Sequence, residues 1–260
     1  MLIDTHCHLD FPDFDAERDE LVARAHAAGV RQMVTISTRV RNLDRLLALT
    51  ERYPSVFCSV GTHPNNAGDE LDVTADELVA LAEANAKVVA IGEAGLDYFY
   101  DTQKPEDQQT GFRRHIDAAR RTGLPLVIHS RSADADMAAI LTEETGKGAF
   151  PFILHCFSAG QALADTGVAL GGYVSFSGIL TFPKSTELRD IAATVPMDRL
   201  LVETDAPYLA PKRWRGKRNE PSYVVNTAEV LAEVKGVSYE EMARITTENA
   251  FRCFSKMPAL

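Results

Sequence analysis

Short apolar runs alternate with longer segments of helical period along the whole chain. The runs fall near 2–4 (LID), 32–37 (QMVTIS), 56–60 (VFCSV), 88–92 (VVAIG), 126–129 (LVIH), 152–155 (FILH), 173–175 (YVS) and 200–203 (LLVE). They are rich in β-branched and aliphatic residues and mostly lack polar–apolar alternation. A strand with one wet face alternates, whereas a parallel strand covered on both faces reads as a nearly continuous apolar run. The pattern therefore predicts buried parallel strands.

The segments between them predict helices. Thr74-Ala75-Asp76-Glu77 has the spacing of a capping box, in which the first and fourth residues satisfy each other's free amides, and Ser238-Tyr239-Glu240-Glu241 repeats it. Gly29, Gly123 and Gly146 stand where helices should stop. Eight strand signals separated by helical segments predict an α/β chain forming a single (β/α)8 TIM-type barrel over residues 1–260. An open doubly wound sheet is the alternative, because the seventh run is weak.

Composition adds bounds. With 45% hydrophobic residues the chain can build a substantial core, which excludes a largely disordered protein. Lys and Arg total 27 against 37 Asp and Glu, a formal charge of −10. Such a chain repels nucleic acid at long range, so a nucleic-acid substrate requires bound cations or a local basic patch. Cys7, Cys58, Cys156 and Cys253 form no CxxC pair, and reduced thiols are expected. MLIDTHCHLD lacks the basic segment and apolar core of a signal peptide, and no run approaches the roughly 18 apolar residues of a membrane span. A cytoplasmic location, with no membrane association and no obligate protein partner, is the expectation.

The first run leads into Asp4-Thr5-His6-Cys7-His8. Alternate residues of an extended segment share a side, so His6 and His8 can point together into a barrel mouth and bind one divalent metal. The pattern then recurs. Glu93 follows VVAIG, His129 ends LVIH, His155 ends FILH and Asp205 follows LLVET. Each is a ligand-capable side chain at the C-terminal end of a different predicted strand, the face where barrels place active sites. Four imidazoles and two carboxylates buried together without a cation would leave polar groups unpartnered. A metal site of His6, His8, Glu93, His129, His155 and Asp205 is therefore expected.

These residues sit in DTHCHLD at 4–10, GTHP at 61–64, GEAGLDY at 92–98, VIHSR at 127–131, LHCFS at 154–158, ETDAPYL at 203–209 and RNEP at 218–221. In this order the pieces resemble the TatD family of metal-dependent deoxyribonucleases, within the amidohydrolase-like metal barrels, over almost the whole chain. The resemblance implies two divalent cations. His6, His8 and Asp205 would hold one, Glu93 would bridge, and His129 and His155 would hold the other. It also implies hydrolysis of DNA, with RNA as an alternative, from a 3′ end. The family pattern often carries a histidine just after GTHP, where this chain has Asn65. In physical terms, a bridging Glu93 would fix the cation spacing and Asp205 would serve as general base, making both catalytic. Four imidazoles favour Zn²⁺ or Mn²⁺, while the family's usual description as Mg²⁺-dependent keeps Mg²⁺ a candidate.

On the substrate side, Lys212, Arg213, Arg215, Lys217 and Arg218 surround Trp214 just after Asp205. Cationic side chains neutralise phosphates and an indole stacks on a base. Trp214, Arg215 and Arg218 are accordingly expected to contact substrate, together with His63, Tyr98 and Arg131. Glu203 shares strand parity with Asp205 and is read either as orienting a ligand or as a buried structural hydrogen bond. His26 and His115 fall in helical segments and read as ordinary, partly exposed residues. Two other functions remain open from sequence: hydrolysis of small amides, esters or lactones at the same dinuclear site, and a binding protein with a structural metal.

Overall fold

The computed structural model describes residues 1–259. The apolar runs form β1 (Leu2–Cys7), β2 (Val30–Thr35), β3 (Val56–Val60), β4 (Val88–Asp97), β5 (Leu126–Arg131), β6 (Phe152–Leu154), β7 (Tyr173–Phe176) and β8 (Leu200–Val202). They pair in chain order, every pair parallel. Past β8 the chain returns to β1. Ala206 bridges Cys7 in parallel, the Asp205 N–H donates to the His6 carbonyl at 2.9 Å, and the His8 N–H donates to Ala206 at 2.8 Å. This contact closes the sheet into a TIM-type barrel and excludes the open doubly wound alternative.

Helices α1 (Arg18–Ala27), α2 (Leu43–Arg52), α3 (Ala75–Ala84), α4 (Pro105–Thr122), α5 (Asp134–Lys147), α6 (Gln161–Ala169) and α7 (Thr186–Thr194) each follow the strand of the same number. Two more, α8 (Val224–Lys235) and α9 (Tyr239–Cys253), follow β8. At both predicted capping boxes the N-cap half forms: the Thr74 and Ser238 hydroxyls accept the N–H groups of Glu77 and Glu241. Gly123 ends α4 in the left-handed region at φ 69°. Gly146 does not end α5. That helix runs one residue further, and Gly148 turns the chain where its carbonyl accepts from Arg120 at 3.0 Å.

The core has two parts. Leu2, Met33, Val56, Val88 and Leu126 face outward and pack beneath the helices. Ile3, Val34, Phe57, Val89, Val127, Ile153, Tyr173 and Leu201, one from each strand, fill the interior with Phe254 and Met257 from beyond α9. Side chains thus fill one end of the barrel and leave the strand C-termini to the polar residues. Among the described residues no helix is long and apolar enough to cross a membrane.

Candidate metal centre

Glu93 is the hub, and glycine lets it in. A Cβ on Gly61 would stand 2.4 Å from the Gly92 Cα, and one on Gly92, at φ 109°, would stand 2.6 Å from the Val127 carbonyl. Only bare backbone fits where β3, β4 and β5 approach, and the Glu93 carboxylate emerges there into a ring of histidines. Its Oε1 lies 2.8 Å from His155 Nε2, 3.0 Å from His129 Nδ1 and 3.5 Å from His63 Nε2. Its Oε2 lies 3.5 Å from His6 Nε2.

On that second side, Nε2 of His6 and Nε2 of His8 are 3.3 Å apart, each 3.5 Å from Asp205 Oδ1. Asp205 takes a left-handed φ of 57°, a conformation Asp and Asn tolerate better than most residues. The six residues read from sequence as ligands therefore meet at one end of the barrel. His63, read as a substrate contact, stands among them.

Hydrogen bonds behind the rings fix which nitrogen faces the centre. His8 Nδ1 donates to the Ile36 carbonyl at 3.2 Å, leaving its Nε2 lone pair inward. His129 is turned the other way: Nε2 faces Asp97 Oδ2 at 3.1 Å and Nδ1 faces Glu93. His63 differs again. Its Nδ1 accepts the Asn65 N–H at 3.0 Å, so a neutral His63 carries its proton on Nε2 and presents a donor to Glu93. That orientation suits contact with an anionic oxygen rather than metal ligation.

Charge is divided within the cluster. Burial pushes Glu93 upward, but His155, His63 and the hydrogen bonds from His129 and His155 outweigh it and hold the carboxyl well below its usual range. Burial and the neighbouring His155 ring hold His6 well below the ordinary imidazole value. Burial lowers His63 to about 3, against the pull of Glu93. Burial also opposes charge on His8, His129 and His155, yet Asp205, Asp97 and Glu93 respectively raise them.

This donor set fits divalent cations. Ring nitrogens of His6, His8, His129 and His155 each lie within 3.5 Å of a Glu93 or Asp205 oxygen, the mixed imidazole and carboxylate chemistry that holds divalent cations. His6, His8 and Glu93 bring three ligand atoms within 4.8 Å of one another.

The residues expected to meet substrate divide into two sets. Tyr98 is braced: its hydroxyl donates to Asp136 at 2.8 Å and accepts from Gln109 at 2.9 Å. Trp214 stacks on Tyr223, 4.5 Å between centroids and 3° from parallel, and its indole N–H donates to Asn226. Arg218 pairs with Glu17 at 2.7 Å, donates to the Asp13 carbonyl and covers Phe14. Intramolecular contacts thus engage these three half-buried side chains. Arg215 stays exposed, as do Lys212, Arg213 and Lys217. Arg131 lies 3.9 Å from the ring centre of Phe99 and 4.9 Å from that of Tyr100. Those two rings, 58% and 46% exposed, and Tyr208, 54% exposed, rim the mouth. Phe11 stacks on His8 at 4.6 Å and meets Tyr208 edge-on at 6.1 Å. Sequence reading missed Phe99, Tyr100, Tyr208 and Phe11; their only signal was proximity to GLDY, APYL and CHLD.

A TIM-type barrel with this carboxylate–imidazole cluster at its strand C-termini defines a metal-dependent hydrolase, and the relatives agree. The metal-dependent hydrolase YcfH of Escherichia coli strain K12 is 43% identical over 97% of this chain and 95% of its own. The metal-dependent hydrolase YabD of Bacillus subtilis strain 168 is 41% identical over 98% of this chain and 99% of its own. The crystal structure of YjjV, a TatD homologue from Escherichia coli K12, superposes with a TM-score of 0.91 at 33% identity, covering 99% of this chain and 98% of its own. The model of the TatD related DNase family matches residues 3–255, and the chain belongs to that family.

Proposed function

We propose that this metal-dependent hydrolase cleaves phosphodiester bonds of DNA, with RNA as a secondary substrate, removing nucleotides from a 3′ end. The observation that carries the reading is Glu93, whose two oxygens face different nitrogen sets, His6 on one side and His129 with His155 on the other. On this reading His6, His8 and Asp205 would hold one cation, His129 and His155 would hold a second, and Glu93 would serve both. The imidazole-rich shell favours Zn²⁺ or Mn²⁺ over Mg²⁺.

When bound, divalent cations would supply a water of lowered pKa and neutralise charge on the attacking and leaving oxygens. The chain supplies the rest. Asp205, 14% exposed at the mouth, accepts the proton of the attacking water at its carboxylate. His63 donates from Nε2 to a phosphate oxygen. Asp97 holds His129 in place, its other oxygen accepting the N–H groups of Phe99 and Tyr100, which ties the centre to the rim. Arg131 meets a backbone phosphate, while Phe99, Tyr100 and Tyr208 offer π-faces to unpaired bases. The exposed cations of KRWRGKR offset the chain's net negative charge beside the mouth.

Product analysis on a 5′-labelled single-stranded oligonucleotide, run with Mg²⁺, Mn²⁺ and Zn²⁺ in parallel, tests the reading. The expected result is a ladder shortening from the 3′ end, abolished by chelation. Turnover of dipeptides or lactones with no oligonucleotide cleavage under any cation would replace it with a small-molecule hydrolase.

A further inference from the structure

The chain between β8 and α8 leaves the barrel mouth and returns to it. Asn219, fully buried, donates from its side-chain amide to the carbonyls of Thr204 and Tyr208 at 2.8 and 2.6 Å. That ties the two ends of the excursion together beside Asp205. Between those ends the loop reaches α8 and the start of α1. The Trp214 indole stacks on Tyr223 and donates to Asn226 at 3.0 Å, and Arg218 pairs with Glu17. The loop and the two helices border an open groove of about 320 Å³. Arg24 lines it from α1, Arg213 and Trp214 from the loop, and Tyr223, Asn226 and Glu229 from the α8 side. Such a volume suits a group the size of a nucleoside.

The charges of this groove are unevenly matched. Arg24 is neutralised by Glu17 at 3.0 Å and Glu220 at 2.7 Å. Arg213 is exposed, as are Lys212, Arg215 and Lys217, and among the described residues none of these four pairs with a carboxylate, whereas Arg218 does. In a chain of formal charge −10, a run of unpaired cations draws phosphates to one place. Arg213 stands five positions past Tyr208. An extended chain covers at most about 3.6 Å per residue, so the groove begins within about 18 Å of the rim.

We propose that this groove is an exosite for single-stranded nucleic acid. A base some nucleotides from the bond being cut lies against the edge of the Trp214–Tyr223 stack, and Arg213 and Lys217 neutralise the phosphates beside it. Lys212 and Arg215, exposed on the same loop, meet the phosphates between mouth and groove. Glu229 keeps phosphates to the Arg213 side and accepts from a base amino group. The inference rests on the nuclease reading of the metal centre and adds a substrate class to it: strands long enough to span both places. Once the centre holds one part of a strand, the second contact is intramolecular, so affinity rises with length.

Trp214 is the chain's single tryptophan, so its emission reports on the groove without any variant. Stopped-flow mixing of the wild-type holoenzyme reads that emission before turnover. The probes are a strand of about 12 alternating dC and dA nucleotides, within the usual reach of single-strand sites, and the corresponding dinucleotide. The longer strand should quench Trp214 saturably, at concentrations about tenfold or more below those the dinucleotide requires. Arg213→Ala should lower the log–log salt dependence of the quench by about 0.7, one phosphate contact. Cleavage of the longer strand with unaltered Trp214 emission would overturn the exosite and leave the nuclease reading standing. Quenching without cleavage under any cation would keep the groove as a strand-binding site and remove the nuclease reading. An equal response to inorganic polyphosphate would overturn the proposal, because charge alone would then account for the binding.

Discussion

The guanidinium of Arg131 lies 3.9 Å from the centre of the Phe99 ring, at the edge of the barrel mouth. Arg131 ends the strand that carries His129, so the stack links the metal centre to an exposed aromatic surface. Stacking of a base on such a ring is worth roughly 1–3 kcal/mol. Phe99→Ala should therefore raise KM for a single-stranded oligonucleotide about tenfold and leave kcat near wild type, because the contact serves ground and transition states alike. Steady-state kinetics check this, and an unaltered KM would remove the rim from the substrate path.

Arg215 and Arg218 belong to one basic stretch but should behave differently. Arg218 is held by Glu17 and the Asp13 carbonyl, whereas Arg215 is exposed. Arg215→Ala should flatten the salt dependence of oligonucleotide binding by about 0.7 in log–log slope, one phosphate contact on a single strand. Arg218→Ala should leave that slope alone and lower the melting temperature. The reverse pattern in binding titrations and thermal melts would reassign the two arginines.

Asp205→Asn separates proton acceptance from architecture. Asn tolerates the left-handed backbone at this position, and its amide oxygen can still face His6 and His8. The variant should fold with an unaltered circular dichroism spectrum yet lose about 100-fold or more in kcat. Turnover near wild type would exclude Asp205 as the base.

The strands were legible because a parallel strand under helices is apolar on both faces, and the polar residues ending each run stood out against it. Pairing across strands was less legible. The fourth apolar run reads as ending at 92, yet β4 continues to Asp97, because a Cβ at Gly95 would meet the His129 carbonyl at 2.0 Å and only glycine lets the strands pair so closely. That extension brings Asp97 to His129. Tyr98 and Phe99 look equivalent in sequence, and only Asp136 and Gln109, brought close by α5 and α4, decide which one is braced. Arg218 finds Glu17 from 201 positions away, a contact without local signature. His115, read as partly exposed, is buried on the inner face of α4.

Removing metal should cost stability as well as activity. A cation that binds only the folded chain stabilises it by about 2.7 kcal/mol at a hundred times its Kd. Chelator should lower the melting temperature, and Zn²⁺ or Mn²⁺ should restore it. The recovery should weaken as pH falls, because protons compete for nitrogens of His8, His129 and His155, which carboxylates already favour in their charged forms. Scanning calorimetry across pH checks this. A melting temperature indifferent to chelator would argue against cations at the cluster.

His115 ties the acid stability of the fold to the segment that carries His63. Its Nε2 accepts the Thr62 N–H at 3.0 Å, and its Nδ1 donates to the Gly111 carbonyl at 2.8 Å, so the native ring is neutral. Burial lowers it from the ordinary 6.5 to about 4, against the pull of the Gly111 carbonyl. Between those values the unfolded chain takes up a proton that the native chain refuses. The contribution is complete above about pH 6.5 and is lost as pH falls towards 4, on the order of 3 kcal/mol in all. His115→Gln keeps an acceptor for Thr62 but does not titrate, so its stability in urea should fall less steeply over this range. Equal acid slopes for the two proteins would place the titrating group elsewhere. Because Thr62 immediately precedes His63, acid exposure should loosen the His63 loop of the wild-type chain first, which hydrogen exchange at Thr62 would register before global unfolding.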